Sequence, residues 1–254
     1  MLVDLWAALA DLVLPTECAG CRRVGSRLRF GVCGGCVDEV RRLRPRAVRP
    51  EPAPAGLPDC VALGEYAGVL RELLLAYKER GRHGLARPLG RLLAAAVAAA
   101  VDPRQSVLLV PVPSTAAAVR ARHGDHLRRL TRYTVAALRA DGWRVTTAQP
   151  LRALPRPDSA GLDSIGRLAS AQAGFAPRRV GLDLARRQVG LDLARRRVGV
   201  DLAGRRDPLS KVIVVDDIVT TGATLAAVER LLVAEGLSVY AAVVLAATRL
   251  RHVA

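Results

Sequence analysis

The sequence is poor in aromatic residues, in lysine and in long apolar runs. Aromatic side chains make up 3% of the 254 residues, which argues against a surface that stacks nucleic-acid bases on Phe and Tyr. The longest apolar run, residues 92–101, is shorter than the roughly 18 residues that a membrane-spanning helix needs. The apolar start carries Asp4 and Asp11 and no basic residue, unlike a secretory signal. We therefore expect a cytoplasmic protein without a membrane span.

Basic residues outnumber acidic ones, and nearly all of them are arginine. The 39 basic residues against 23 acidic ones give a formal charge of +16, and only Lys78 and Lys211 are lysine. A coding preference that also favours Ala would produce this bias, and so would a surface built for phosphate groups. Because the arginines are spread along the chain, both interpretations stay open. The charge predicts weak, salt-sensitive binding of single-stranded DNA.

The order of the apolar segments predicts an α/β fold. With 51% hydrophobic residues, the chain can build a sizeable core. Strands that alternate with helices are typical of a mostly parallel sheet with flanking helices. The segment 151–176 is polar and contains Gly and Pro, so we expect it to be irregular. The expected strands are 60–66, 106–112, 143–148, 211–215 and 237–247, and the expected helices are 69–78, 85–101, 125–140 and 223–235.

A Pro- and Arg-rich stretch separates this domain from the N-terminal part of the chain. Residues 44–58 contain five prolines and no hydrophobic period, which predicts a linker. Before it, residues 1–43 hold a cluster of cysteines and an apolar start in which leucines recur with helical spacing from Leu2 to Leu12. After it, residues 59–254 are expected to form the α/β domain.

Four of the five cysteines form two CxxC pairs that are eleven residues apart. Four thiolates presented by two tight turns can complete the tetrahedral shell of one zinc ion, which leaves no open position for water. Two disulfides are an alternative that a reducing cytosol disfavours, and a redox CxxC is one that the matched pairs disfavour. Cys60 lies outside the pattern and is expected to pack as a small buried residue. We predict a structural zinc ribbon with the ligands Cys18, Cys21, Cys33 and Cys36.

A nine-residue unit is repeated three times between residues 180 and 206. Each copy offers too few apolar side chains to build a core of its own. We interpret the repeat as a tandem expansion inside a loop that folding does not require. A strand or helix studded with arginine that touches an acidic partner is the alternative. The copies are VGLDLARRQ at 180–188, VGLDLARRR at 189–197 and VGVDLAGRR at 198–206.

The strongest functional signal is the segment 212–224, VIVVDDIVTTGAT. Its four apolar residues predict a buried strand, and Asp216 and Asp217 follow at the carboxyl end, where open α/β sheets bind ligands. A turn rich in hydroxyls and glycine at a helix N-terminus can bind a phosphate, and carboxylates suit a ribose diol. An ordinary capped strand-to-helix turn is the alternative, but it does not explain the two adjacent acids.

This segment resembles the signature of type I phosphoribosyltransferases, which bind 5-phosphoribosyl-1-pyrophosphate (PRPP). Together with the CxxC pairs, the chain resembles the ComF family, whose members are competence-associated and join a zinc ribbon to a phosphoribosyltransferase-like domain. The resemblance covers nearly the whole chain outside the repeats. The further matching positions are Pro15, Tyr77–Gly81, Pro111–Ser114, Asp158–Leu162 and Ala173–Phe175.

The resemblance implies a role for each part of the expected site. Asp216 and Asp217 would hold the ribose hydroxyls as the catalytic pair, and residues 154–175 would form a mobile lid. Magnesium would bridge the pyrophosphate and the ribose hydroxyls rather than occupy a protein cage. The 5′-phosphate would contact Val219, Thr220, Thr221, Gly222, Ala223 and Thr224, and the pyrophosphate loop would be Val112, Pro113, Ser114 and Thr115.

Two features depart from the family pattern. The family usually has Arg-Gly soon after the Pro-Val-Pro strand, whereas His123 stands between Arg122 and Gly124 here. We expect His123 and His126 at the surface, and contact with pyrophosphate or a base is the alternative. The triple repeat also lengthens the approach to the strand that begins near residue 211.

The resemblance implies three functions that the sequence does not separate. The first is a glycosyltransferase that moves phosphoribosyl from PRPP to a nitrogen acceptor. The second is a non-catalytic accessory protein of DNA uptake that binds single-stranded DNA or a DNA helicase, and the third is a PRPP sensor. An oligomer is compatible with each of them, and the acceptor cannot be deduced from the sequence.

Overall fold

The computed structural model describes residues 17–24, 27–155, 174–190 and 210–248. It confirms an α/β fold with a mostly parallel sheet flanked by helices. The expected N-terminal helix, most of the expected lid and nearly all of the second and third repeat copies lie outside the described residues. Within the described residues, no helix has both the length and the apolar character that crossing a bilayer requires.

Among the described residues there are ten strands, and six of them form one sheet in the order β3-β4-β10-β9-β5-β6. Only β3 is antiparallel to its neighbour, so the carboxyl ends of β4, β10, β9 and β5 meet at the same edge. Two short hairpins, β1-β2 and β7-β8, lie apart from it. The strands are β1 Leu28–Arg29, β2 Val32–Cys33, β3 Arg46–Val48, β4 Cys60–Glu65, β5 Val107–Pro111, β6 Val145–Thr147, β7 Leu151–Ala153, β8 Phe175–Pro177, β9 Lys211–Val219 and β10 Val239–Ala247.

Seven α-helices are found in the described residues, and four of them match expected helices to within two residues at each end. The unexpected ones include α4, a short helix directly after the loop that follows β5. A 3-10 turn at His83–Leu85 joins α2 to α3. The helices are α1 Gly34–Arg41, α2 Gly68–Lys78, α3 Ala86–Ala100, α4 Ala116–Ala121, α5 His126–Ala140, α6 Arg179–Gln188 and α7 Ala223–Ala234.

The core is built from the central strands and the long helices α3 and α5. Residues 212–215 of β9 and 241–246 of β10 are all buried, as parallel strands covered on both faces require. Helices α3 and α5 approach each other at Gly90, where an added Cβ would lie 2.6 Å from Cβ of Tyr133. Because no side chain fits there, glycine permits the close helix contact that closes the core.

The Pro/Arg-rich stretch contains structure that the linker interpretation did not include. Residues 46–48 form β3 and pair with β4 at the edge of the sheet, and Leu57 is buried in the core. Arg46 and Ala47 are exposed, so β3 lacks the alternation that would have revealed it. Proline-flanked strands occur at sheet edges, where missing N–H donors break no ladder.

The segment expected to be irregular contains a hairpin. Strands β7 and β8 pair antiparallel, with Arg152 opposite Ala176. Each strand has only three residues, which is too short for a periodic signal. The hairpin brings the two ends of the expected lid together, because the backbone N–H of Leu154 donates to the carbonyl of Gly174 at 2.9 Å.

The first repeat copy forms helix α6 and not a loop. Leu182 and Ala185 are buried, and a Cβ added at Gly181 would overlap the carbonyl oxygen of Gln149. The packing therefore requires the glycine of the VGLDLARR unit. Arg186 adds hydrogen bonds to the carbonyl and the carboxylate of Glu235. Only one copy is needed to supply these contacts.

We predict that the protein tolerates the loss of one repeat copy. Deleting residues 189–197 leaves helix α6 intact and places another Val-Gly pair directly after Gln188. The melting temperature should change by less than about 3 °C, which corresponds to roughly 1 kcal/mol in a chain of this size. As a control, deleting residues 180–206 removes every copy and should lower it by considerably more. Equal effects of the two deletions in thermal unfolding would show that α6 contributes nothing to stability.

Candidate functional site

The four cysteines of the two CxxC pairs converge on one point. Their sulfur atoms all lie within 4.8 Å of one another, and Sγ of Cys21 is 3.7 Å from Sγ of Cys33. A tetrahedral ZnS4 centre with Zn–S bonds of about 2.3 Å has sulfurs about 3.8 Å apart. A disulfide requires about 2.05 Å, and all five cysteines are free thiols. The cluster can therefore hold a structural metal ion such as zinc.

Backbone N–H groups donate to the Cys18 sulfur and stabilise its thiolate form. The N–H groups of Gly20 and Cys33 point at Cys18 Sγ, at 3.4 and 3.2 Å. Burial alone would raise the pKa of Cys18, but the backbone donors of Cys21, Cys33 and Gly20 outweigh it and lower the pKa to about 6. Cys18 is therefore a thiolate at neutral pH, which is the form that binds metals.

The cysteine cluster packs directly on helix α2 of the α/β domain. An added Cβ at Gly20 would lie 2.9 Å from Cys36 Sγ and 3.0 Å from Cγ1 of Val69, so this glycine is in contact with both. Arg22 forms an ion pair with Glu72 at 3.2 Å. The cysteine cluster and helix α2 thus share one packed interface.

We predict one zinc ion per chain and a coupled loss of stability without it. Cys21→Ser should reduce bound zinc to less than about half an equivalent and lower the melting temperature, because metal binding energy is folding energy. Cys60→Ser is the matched control, since the Cys60 thiol is buried outside the cluster and donates to the carbonyl of Pro58. Metal analysis and thermal unfolding give the result. Purified protein with intact disulfides and no zinc would refute the prediction.

The second candidate site lies at the carboxyl end of β9. Asp216 and Asp217 are the sixth and seventh residues of this strand, so their side chains leave it on opposite faces. Asp217 is buried, with 4% of its surface exposed, whereas Asp216 is half-buried. Oδ1 of Asp216 accepts the backbone N–H of Asp217 at 2.9 Å. The two acids therefore have different surroundings and different partners.

Asp217 is the centre of a buried ionic cluster. Its Oδ2 lies 2.7 Å from Nζ of Lys78, the last residue of α2, and 3.1 Å from Nε2 of His126, the first residue of α5. Burial would raise the pKa of Asp217, but Lys78 and His126 outweigh it and hold the pKa far below its usual range. Burial would likewise lower the pKa of Lys78, and the carboxylate raises it instead.

Asp216 faces the turn that follows β9. It lines a concavity of about 30 Å³ together with residues 218–225. Burial and the neighbouring charge of Asp217 raise the pKa of Asp216 to about 8. Asp216 is therefore largely protonated at neutral pH, and it is the member of the pair that is available to a ligand of the turn.

The turn brings the N-terminus of helix α7 to the site. Gly222, the residue before the helix, has a left-handed backbone with φ of 76°, and no side chain caps the helix. An added Cβ at Gly222 would lie 2.8 Å from Cδ1 of Leu57. The hydroxyl of Thr221 accepts the N–H of Ala223 at 3.4 Å. The geometry is that of an anion-binding helix N-terminus beside hydroxyl groups.

The expected pyrophosphate loop lies next to this strand. The N–H of Val112 donates to the carbonyl of Val215 at 3.0 Å, which ties the loop to β9. Thr115 caps helix α4 by accepting the N–H of Ala118 at 3.2 Å. Ser114 contacts Asp125, the N-cap of α5, at 3.5 Å. The structure thus brings residues 112–115, the two aspartates and residues 219–224 to one edge of the sheet.

Two residues of this edge were not identified as site residues from the sequence. His126 was expected at the surface, but it is 8% exposed and bound to Asp217. Lys78 belongs to the matching segment 77–81 but received no role. Tyr77 fixes the arrangement by donating to the carbonyl of His126 at 2.6 Å. The available signal was that Lys78 is one of only two lysines in a chain rich in arginine.

Comparisons with known proteins assign no family to the chain. No family model matches the sequence, and no curated protein is significantly similar to it. The interpretation of the site therefore depends on its geometry and on the resemblance of its motifs.

The two aspartates should respond oppositely to amidation. Asp217→Asn leaves the half-buried Lys78 ammonium group without its counterion, and at pH 7 it should destabilise the protein by about 3 kcal/mol. The pKa of Asp217 is lowered by folding, so this loss should shrink as the pH falls below about 4.

Asp216→Asn should be neutral or stabilising at pH 7. The pKa of Asp216 is raised by folding, so its charge opposes folding increasingly as the pH rises from about 4 towards 8. In denaturant titrations, the free energy of unfolding of Asp216→Asn relative to wild type should therefore increase over that pH range. Equal destabilisation by both variants at pH 7 would contradict the separate roles.

Proposed function

We propose that the protein is a PRPP-binding, phosphoribosyltransferase-like member of the ComF family with a structural zinc ribbon. The observation that carries the proposal is the concavity in which Asp216 lies beside the turn 220–224 at the N-terminus of α7. The chemistry of this arrangement suits a sugar phosphate, because the turn favours the phosphate and a carboxyl group favours hydroxyls. The sequence motif and the geometry therefore support the same ligand.

The parts of PRPP are assigned by their chemistry. The 5′-phosphate accepts N–H groups and hydroxyls of residues 220–224, and the ribose hydroxyls contact Asp216. The pyrophosphate lies toward the loop 112–115, which is held to β9 by a backbone hydrogen bond. Magnesium would be held mainly by the ligand's own oxygens, since it retains waters and needs few protein carboxylates.

The proposed reaction is phosphoribosyl transfer to a nitrogen nucleophile. The acceptor nitrogen forms a bond with the anomeric carbon, and the bond to the pyrophosphate oxygen breaks with inversion. The protein's task is to position both groups and to stabilise the departing negative charge. Lys78 lies at the same edge, and its ammonium group is held by Asp217.

A PRPP sensor is the second candidate function. None of the described residues that line the concavity is aromatic, so this part of the site offers no stacking face for a base. A protein that binds PRPP without transferring it needs no such face. Pyrophosphate release in the presence of nitrogen acceptors separates the two functions.

Calorimetry with PRPP, ribose 5-phosphate and magnesium tests the proposal. Asp216→Ala should weaken PRPP binding about two- to tenfold, or about 0.5–1.4 kcal/mol, because it removes a neutral carboxyl group that forms hydrogen bonds with the ribose hydroxyls. Thr221→Val should weaken the binding of both ligands, since it removes a hydroxyl assigned to the 5′-phosphate that they share. Asp141→Asn, an exposed acid at the end of α5, should change neither affinity. If neither ligand binds at millimolar concentration, the proposal is wrong.

A further inference from the structure

A cavity of about 520 Å³ opens beside the proposed pyrophosphate loop. Its walls are Pro113 and Ser114 of the loop, helix α4, and the β7-β8 hairpin with the segments that flank it. Its size lies within the usual range of small-molecule sites, about 300–1,000 Å³. It is separate from the concavity of the turn after β9, with which it shares no lining residue. The cavity is therefore available to a second ligand.

Three arginines line this cavity. Arg152 lies on β7 opposite Ala176, and Arg178 follows β8 with an extended backbone. Because side chains alternate along a strand, Arg152 and Arg178 lie diagonally on one face of the hairpin. Arg120 is on α4, which forms another wall. Like charges on one face of a hairpin destabilise it unless an anion lies between them.

These arginines have no carboxylate ion pair within the described residues. The ion pairs there belong to other basic residues, for example Arg22 and Arg80 with Glu72. Arg178 has the neutral partner Gln149, whose Oε1 accepts a hydrogen bond at 3.4 Å. The arginine bias that the composition leaves unexplained thus has a local physical meaning at this cavity.

One acidic residue, Asp125, lies in the cavity wall, and its carboxylate already has hydrogen-bond partners. Oδ1 of Asp125 accepts the N–H of Arg128 at 3.0 Å at the start of α5, and it contacts the Ser114 hydroxyl. A carboxylate at a helix N-terminus is neutralised in part by the helix dipole. The net potential of the cavity is therefore positive, and a neutral ligand would leave it uncompensated.

No aromatic side chain is among the described residues that line the cavity. A ligand is thus recognised here by charge and not by stacking. Planar guanidinium groups bind carboxylates and phosphates with paired hydrogen bonds. These features together specify an anionic group on the ligand.

We propose that this cavity binds the acceptor of the transfer reaction and that the acceptor is a nitrogen heterocycle carrying a carboxylate. The inference rests on the proposed function, since the cavity adjoins the loop assigned to pyrophosphate. Arg152 and Arg178 hold the carboxylate, and the ring nitrogen attacks the anomeric carbon of PRPP. The new N–C bond replaces the C–O bond, pyrophosphate leaves with the electron pair, and any proton on the nitrogen passes to solvent.

The test compares anionic probes with neutral analogues of the same shape. Nicotinate and orotate are the anionic probes, and nicotinamide and uracil are their neutral counterparts. Binding of each probe to the full-length protein is measured by calorimetry with and without PRPP and magnesium, and pyrophosphate release is followed in parallel. At least one anionic probe should bind ten times or more tightly than its neutral counterpart and release pyrophosphate.

Arginine variants test whether the preference for anionic probes arises at this cavity. The double variant Arg152→Ala/Arg178→Ala should weaken binding of the anionic probe at least tenfold. It should leave the affinity for PRPP within twofold of wild type. Arg91→Ala, an exposed arginine on α3, is the matched control and should change neither. Arg152→Lys should retain part of the affinity, because the charge stays while the paired hydrogen bonds are lost.

The outcomes separate this inference from the proposed function. If PRPP does not bind, the proposed function fails, whatever the probes do. If PRPP binds but neutral and anionic probes bind equally, or none binds, the acceptor inference is wrong. It is also wrong if the double variant mainly weakens PRPP, because the arginines then belong to the pyrophosphate site.

Discussion

The contact between Asp217 and Lys78 is the interaction on which the candidate site depends. It joins the carboxyl end of β9 to the end of α2, and His126 adds the start of α5 to the same carboxylate. The three elements are far apart in sequence, since His126 and Asp217 are separated by 91 positions. Because a buried charge without a partner costs several kcal/mol, this cluster fixes the elements relative to one another. The edge of the sheet where a ligand would bind is thereby rigid.

Helix α2 connects this cluster to the cysteine centre. Its first turn packs on the CxxC knuckle through Val69, and its last residue is Lys78. A metal ion in the cysteine centre therefore stabilises the same helix that carries the counterion of Asp217. The Pro/Arg-rich stretch has a similar role, since its Leu57 packs against Gly222 in the turn after β9. The N-terminal part is thus a support of the site and not an independent appendage.

The sequence predicted the central strands and long helices well, because burial on both faces leaves long apolar runs and regular helical spacing. It missed β3, β7 and β8, because each has only three paired residues and the pairing depends on the neighbouring strand and not on the strand's own pattern. It also missed helix α6, because the buried face of a nine-residue unit is small and becomes clear only against its partner Gln149. The motif at 212–224 located the site edge, but periodicity cannot show contacts such as that between His126 and Asp217.

The adjacent acids of the motif are not equivalent, and the difference follows from strand geometry. A strand sends consecutive side chains to opposite faces, so one carboxylate must enter the core while the other can face the turn. Asp217 is compensated in the core by two basic groups, and it then acts on Asp216 as a negative neighbour. Burial and this negative neighbour together raise the pKa of Asp216, so that it is largely protonated beside a turn suited to phosphate. A neutral carboxyl group at that position avoids the repulsion that a second carboxylate would exert on an incoming anion. The pair therefore combines a structural anchor with a polar group that tolerates a phosphorylated ligand, which a single acid could not do.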